Sequence, residues 1–203
     1  HAQYLSDMQE DVELVAFCDR NEEKARAFSQ QYAEGRAQVF TDHPALLDRM
    51  GLDALVIALP PFGHTDEVEC AAEQGVHVLI EKPIALTTVE ADSILAAAER
   101  GVNGKAANVR VGYSRRYKEC FLRAKEQMIQ GRLGTIISGL ARVYNSRAQT
   151  FQILKRDPHA TPVLDVLTYY IDLMCWFLEG NRPVEVVARG QHGIFKAAGY
   201  DCH

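Results

Sequence analysis

The sequence predicts an α/β protein: a doubly wound parallel sheet followed by part of an α+β domain with a mainly antiparallel sheet. Two apolar β-type runs, Leu55–Leu59 and Val76–Ile80, are joined by a segment long enough for one helix. Continuous apolar runs, unlike alternating ones, suit strands buried on both faces of a parallel sheet. A strand, a crossover helix and a parallel strand form a right-handed βαβ unit. Past Gly134 the pattern changes: Thr135–Tyr144 and Val184–Ala188 are β-rich with partial alternation, on either side of the helical stretch Val163–Leu178.

Composition narrows the class. A chain of 203 residues is one large domain or two small ones and can bury a substantial core. No apolar run approaches the ~20 residues of a membrane span. The nearest, Val163–Leu178, contains Asp165 and Asp172. The net charge of -5 and the lack of a basic stripe argue against nucleic acid or an anionic membrane surface as partner. Cys18, Cys70, Cys120, Cys175 and Cys202 are odd in number, scattered and without a CxxC pair, the pattern of reduced thiols in the cytoplasm.

In chain order, Leu5 and Met8 are spaced as on the tail of an amphipathic helix, and Val12–Cys18 reads as a strand ending in Asp19. In a dinucleotide-binding domain an acid at the end of the second strand accepts hydrogen bonds from the adenosine ribose, roughly 20 residues beyond a glycine-rich loop. Asp19, with Arg20 beside it, reads either as that acid or as an ordinary turn or capping residue. Counting back from Asp19 reaches His1 without such a loop. The first strand and its loop are therefore expected to lie outside this chain, leaving a slot between Val12–Cys18 and Leu55–Leu59.

Asn21–Tyr32 is expected as a helix with Ala25, Phe28 and Tyr32 on one side, Val39-Phe40 as a short strand, and Pro44–Met50 as a helix stopped by Gly51. Pro60-Pro61 and Glu81-Lys82-Pro83 leave their strands at one carboxyl edge, where open α/β sheets bind ligands. Thr87 and Glu90 fit a capping box, and Ala91, Ile94, Leu95 and Ala98 form the buried stripe of the helix that follows. Val109–Tyr113 is a further strand and leads into a helix closed by Gly131. Helical spacing then brings Asp165, Tyr169 and Asp172 onto one face.

Pro60-Pro61 followed by His64, the run GVHVLIEKP and the helix LTTVEADSIL resemble the Gfo/Idh/MocA family of nicotinamide-dependent oxidoreductases, whose marker is the EKP tripeptide at a strand end. The resemblance implies a Rossmann-type dinucleotide-binding domain over residues 1–120, lacking its first strand, and a partial α+β substrate and oligomerisation domain over residues 121–203. It implies a dehydrogenase or reductase that moves a hydride between the cofactor and a CH–OH group of a sugar, polyol or inositol-like substrate. NAD is favoured over NADP because Asp19 would repel a 2′-phosphate, although Arg20 could soften that. A homo-oligomer is expected of the full-length protein.

The resemblance also assigns residues. The lysine of EKP contacts substrate and cofactor ribose in the family, which gives Lys82 a catalytic and a binding role; otherwise Lys82 is an exposed strand-end lysine. Pro60, Pro61 and Glu81 join the cofactor side. His64 either orders the loop beside the nicotinamide or is an ordinary loop histidine. The family shows an aromatic, a small residue and an arginine after the next strand, matched by Tyr113, Ser114 and Arg116, with Tyr113 toward substrate and Arg116 toward cofactor. Arg115 and Arg116 read equally as a solvated helix start. The family's helix motif has an aspartate, a histidine four residues later and often a second aspartate; Asp165 and Asp172 match the acids, and Tyr169 stands in the histidine position. Thr161-Pro162 stand near the place of the family's two glycines. Either Tyr169 serves as the acid in carbonyl reduction, or Lys82 carries the proton, or catalysis is lost and the chain is a non-catalytic dinucleotide-binding regulator. Trp176 and Phe177 read as core. No linear spacing of His, Cys and acids matches a metal site, so no metal is expected.

Overall fold

The structure, a computed structural model, describes residues 1–103, 105–156, 163–191 and 193–200. Cα packing divides the chain into two compact units, His1–Ile80 with Thr87–Arg110, and Glu81–Leu86 with Val111–His203.

In the first unit α1 (Ala2–Ser6) precedes β1 (Ala16–Cys18), α2 (Glu22–Ala33), β2 (Gln38–Phe40), α3 (His43–Arg49), β3 (Ala54–Ile57), α4 (Glu67–Glu73), β4 (His77–Ile80), α5 (Thr88–Arg100) and β5 (Val109–Val111). β1 pairs with β2 in parallel, Phe17 opposite Val39, and β3 pairs with β4 in parallel, Ile57 opposite Ile80. β5 extends the second sheet beyond β4, and the Val78 N–H donates to the Asn108 carbonyl at 2.8 Å. The two sheets are separate: among the described residues no strand lies between β1 and β3, and residues 2–6 are helical. That is the arrangement expected from the absence of a first strand in residues 1–11. β1 is shorter than expected, because the Val12 N–H is drawn back to the Met8 carbonyl and the ladder begins only at the Val15 carbonyl.

Local chemistry fixes the helices. The Asn21 side chain accepts from the Lys24 N–H at 3.1 Å, and Glu22 and Glu23 complement the positive end of α2. The buried stripe of α2 is Ala25, Ser29 and Ala33. Phe28, expected there, is 38% exposed and instead meets Phe17 edge-on and Tyr32 at a tilt. The Thr87–Glu90 capping box is complete in both directions. Below it Ile94 and Ala97 are buried, whereas Leu95 is 56% exposed, a correction to the expected stripe. A period of 3.6 carries the position after Ile94 about 100° away from the core-facing line. α5 packs on α4, so Ala72, Ala97 and Ala107 close around Val109. Small side chains here let helix and sheet approach closely. α5 ends at Gly101, with φ of +48° and the Lys105 carbonyl 1.9 Å from where a Cβ would stand. Only glycine fits.

The second unit holds α6 (Glu119–Ile129), α7 (Arg147–Arg156), α8 (Thr168–Phe177) and α9 (Gly193–Ala197). The single helix expected after Tyr113 is divided into a 3₁₀ turn, Ser114–Tyr117, and α6, which is followed by Gly131 at φ +69°. The helix that carries Asp165 opens with a π turn, Val163–Leu167, before α8. The strands expected at Thr135–Tyr144 and Val184–Ala188 do not form, and Ile137 and Val184 are 92% and 97% exposed. Their composition favours β, but a strand persists only when another strand takes its backbone hydrogen bonds. Thr161-Pro162 and Cys202 lie outside the described residues. Among the described residues no helix is long and apolar enough to cross a membrane.

Candidate active site

The candidate residues fall into two groups. In the first unit, Asp19 follows β1. One carboxylate oxygen accepts from the Asn21 N–H at 2.9 Å and the other meets Lys24 Nζ at 2.8 Å. The Lys24 contact first, then the Asn21 amide, holds its pKa below the usual carboxylate range. Arg20 beside it is exposed. An ionised carboxylate at a strand end is the acceptor a ribose diol requires, so Asp19 fits the adenosine end of a dinucleotide. It also makes the turn contacts that the alternative reading anticipated.

Because Ile57 and Ile80 are register partners, β3 and β4 end at one sheet edge. From β3 the chain passes Pro60 and enters a 3₁₀ turn, Pro61–Gly63, closed by the Gly63 N–H donating to the Pro60 carbonyl at 2.8 Å. His64 follows. Its Nδ1 hydrogen-bonds Glu67 Oε1, while Glu67 Oε2 accepts from the Thr65 N–H at 2.8 Å and the Thr65 hydroxyl at 2.9 Å. Glu67 is 3% exposed. Burial alone would raise its pKa, but the bonds from His64, the Thr65 and Glu67 amides and the Thr65 hydroxyl outweigh it and lower the pKa to about 2. His64 is thus a fixed loop anchor. The sequence reading missed Glu67, although an acid three residues after a histidine at a helix start was a usable signal.

In the second unit, Lys82 Nζ donates to Asp165 Oδ1 at 2.8 Å and to the Asp165 carbonyl at 2.7 Å. Residues 83 positions apart therefore meet at one ammonium, whose side chain is 13% exposed. The same ammonium stands 4.9 Å from the centroid of the Tyr169 ring. The Tyr113 ring meets that of Tyr169 edge-on at 6.3 Å, and its hydroxyl bonds Thr168 Oγ1 at 3.0 Å. Lys82, Asp165, Tyr169 and Tyr113 form one cluster. Glu81 is half-buried.

Arg116 takes a different place from a solvated helix start. Its Nε donates to Asp172 Oδ2 at 2.8 Å and its Nη2 to Oδ1, a forked pair. Asp172 is 8% exposed, so it is a buried, paired acid rather than a solubilising one. Its hydrogen bond to Arg116 is also the main reason the Arg116 pKa is raised. Arg115, for which a solvated helix start was one of two readings, lies 4.9 Å from the Tyr169 ring and 4.6 Å from that of Tyr170. Two cations therefore contact Tyr169, and the ring faces attract them. Trp176 stacks on Phe177 and contacts Arg116 and Lys125.

Comparison with known proteins bears on both groups. Residues 1–109 match the family described as "Oxidoreductase family, NAD-binding Rossmann fold" (GFO_IDH_MocA). The chain is similar to inositol 2-dehydrogenase of Salmonella typhimurium, 29% identical over 187 residues, covering 92% of this chain and 53% of that protein. It is similar to D-apiose dehydrogenase of Paraburkholderia graminis, 38% identical over 89 residues, 44% of this chain and 23% of that protein. The scyllo-inositol dehydrogenase of Lactobacillus casei, solved with NAD(H) and scyllo-inositol, shares the fold with a TM-score of 0.68 at 23% identity, over 87% of this chain and 52% of that one. The chain spans about half the length of the inositol 2-dehydrogenase. The match over residues 1–109, more than half of the chain, carries the assignment: it belongs to the Gfo/Idh/MocA family of oxidoreductases.

Proposed function

We propose that the chain works as an NAD-dependent dehydrogenase or reductase acting on a secondary alcohol or carbonyl of a sugar, polyol or inositol-like substrate. The observation that carries this reading is the Lys82–Asp165 contact of 2.8 Å against the Tyr169 ring. NAD, when bound, would supply the hydride acceptor for oxidation and the hydride donor for reduction. The chain's own residues handle the proton and the substrate oxygen. In reduction the Lys82 ammonium gives a proton to the carbonyl oxygen and is left as the neutral amine, and in oxidation that neutral amine takes the hydroxyl proton as the carbonyl forms and becomes the ammonium. Asp165 orients Nζ through two contacts, to its carboxylate and its carbonyl. Tyr169 walls the ammonium with its ring, and Tyr113 braces that ring. Asp19 would hold the adenosine ribose, with Arg20, Pro60, Pro61, His64, Glu81 and Arg116 as further cofactor-side residues.

On this reading residues 1–120 serve dinucleotide binding and 121–203 belong to a substrate and oligomerisation domain. The protein is cytoplasmic and assembles as a homo-oligomer; the free thiols Cys18, Cys70, Cys120 and Cys175 suit a reducing compartment. The test is a screen of sugars, polyols and inositols with NAD and NADP, following reduced-nicotinamide absorbance in both directions. Turnover with at least one cyclic or linear polyol is expected. Measurable NAD binding with no turnover on any substrate would favour the non-catalytic regulator.

A further inference from the structure

In the first unit α3 packs against α4, and the contact gathers three side chains of different chemistry. His43 is the first residue of α3, Asp66 is the N-cap residue of α4, and Cys70 lies one turn along α4. One ligand atom from each lies within 4.8 Å of the other two, and His43 Nε2 is 3.1 Å from Asp66 Oδ1. A tetrahedral ion with bonds of about 2.0 to 2.3 Å keeps its ligand atoms roughly 3.3 to 3.8 Å apart. The trio therefore needs adjustments of only about an ångström to reach that geometry. Asp66 makes no side-chain capping bond to α4, so its carboxylate is turned to this cluster rather than to the helix end. Glu69 and Glu73 add negative charge around the Cys70 thiol, Glu73 being offset by Arg100 at 2.7 Å. Linear spacing did not reveal the cluster, because His43 stands 23 residues before Asp66.

We propose that His43, Asp66 and Cys70 form a three-ligand site for a divalent cation of borderline softness, Zn²⁺ by ligand chemistry, with solvent in the fourth position. Imidazole, carboxylate and thiolate together are the donor set Zn²⁺ accepts, whereas Mg²⁺ and Ca²⁺ take oxygen ligands. On binding, the Cys70 S–H bond breaks, its proton passes to solvent and the sulfur binds the metal, with no change of oxidation state. The ion ties α3 to α4, so it stabilises the folded chain.

The experiment uses the protein after dialysis against a chelator, titrated with Co²⁺ and then Zn²⁺. The expected result is one Co²⁺ per chain with a thiolate-to-cobalt charge-transfer absorption, displacement by Zn²⁺, and a Tm that rises with Zn²⁺. Cys70→Ser should abolish the charge-transfer absorption, and His43→Gln should weaken binding by on the order of tenfold or more. His43→Gln sits at a helix start and decides the matter should Cys70→Ser not fold. Absence of stoichiometric binding, charge-transfer absorption that survives Cys70→Ser, or unchanged affinity in His43→Gln would overturn the proposal.

Discussion

Replacing Glu67 by Gln removes one carboxylate and with it the anchor of the His64 loop. Glu67 is 3% exposed and accepts from the Thr65 amide and hydroxyl as well as from His64, which lowers its pKa from 4.5 to about 2. A pKa unit corresponds to about 1.4 kcal/mol, so the ionised Glu67 contributes on the order of 3 kcal/mol to folding. The folded pKa is depressed. The contribution is therefore complete above the unfolded value and is lost as pH falls from about 4.5 toward about 2. By pH 3 the linkage relation removes about 2 kcal/mol of it. Urea unfolding of wild type and Glu67→Gln at intervals between pH 7 and pH 3 isolates this group from the other carboxylates. Wild type should be more stable at pH 7 by roughly 3 kcal/mol, and the gap should narrow by about 2 kcal/mol at pH 3. Parallel stability curves, with a gap independent of pH, would refute the assignment of that stabilisation to the Glu67 charge.

Three further outcomes follow from the same kind of reasoning. Arg116→Ala leaves Asp172, 8% exposed, without its forked partner and should destabilise the second unit by roughly 2 kcal/mol in denaturant unfolding; an unchanged midpoint would mean solvent replaces the guanidinium freely. Gly101→Ala places a Cβ 1.9 Å from the Lys105 carbonyl at φ +48° and should lower Tm, with a cost of at least about 1 to 3 kcal/mol. Asp19→Ala should raise the Kd for NAD about tenfold, the effect of one lost charge-assisted bond, while the Kd for NADP rises less; equal effects on both would remove Asp19 from the ribose.

Much of the first unit was legible because its signals are local. The apolar runs before Pro60 and Glu81 and the Thr87–Glu90 box each act within a few residues, and each appears in the structure. Lys82 and Asp165 were each assigned to catalysis only through family resemblance, and their pairing was not anticipated, since no local signal joins residues 83 apart. The spacing of Glu67 three residues after His64 was readable, but only its burial, which the sequence does not show, turns an ordinary helix-start acid into an anchor. The strands expected at Thr135–Tyr144 and Val184–Ala188 failed for the opposite reason. Their β composition was plain, but composition does not supply the neighbouring strand that the backbone needs.

On the proposed reading Lys82, held by Asp165, carries the substrate proton. The most direct measurement is kcat of Lys82→Ala on the substrate found by the polyol screen, beside its NAD affinity and circular dichroism spectrum. That role predicts a loss of at least about 100-fold in kcat with the fold retained and a smaller loss of NAD affinity. Retention of most of the wild-type kcat would contradict it.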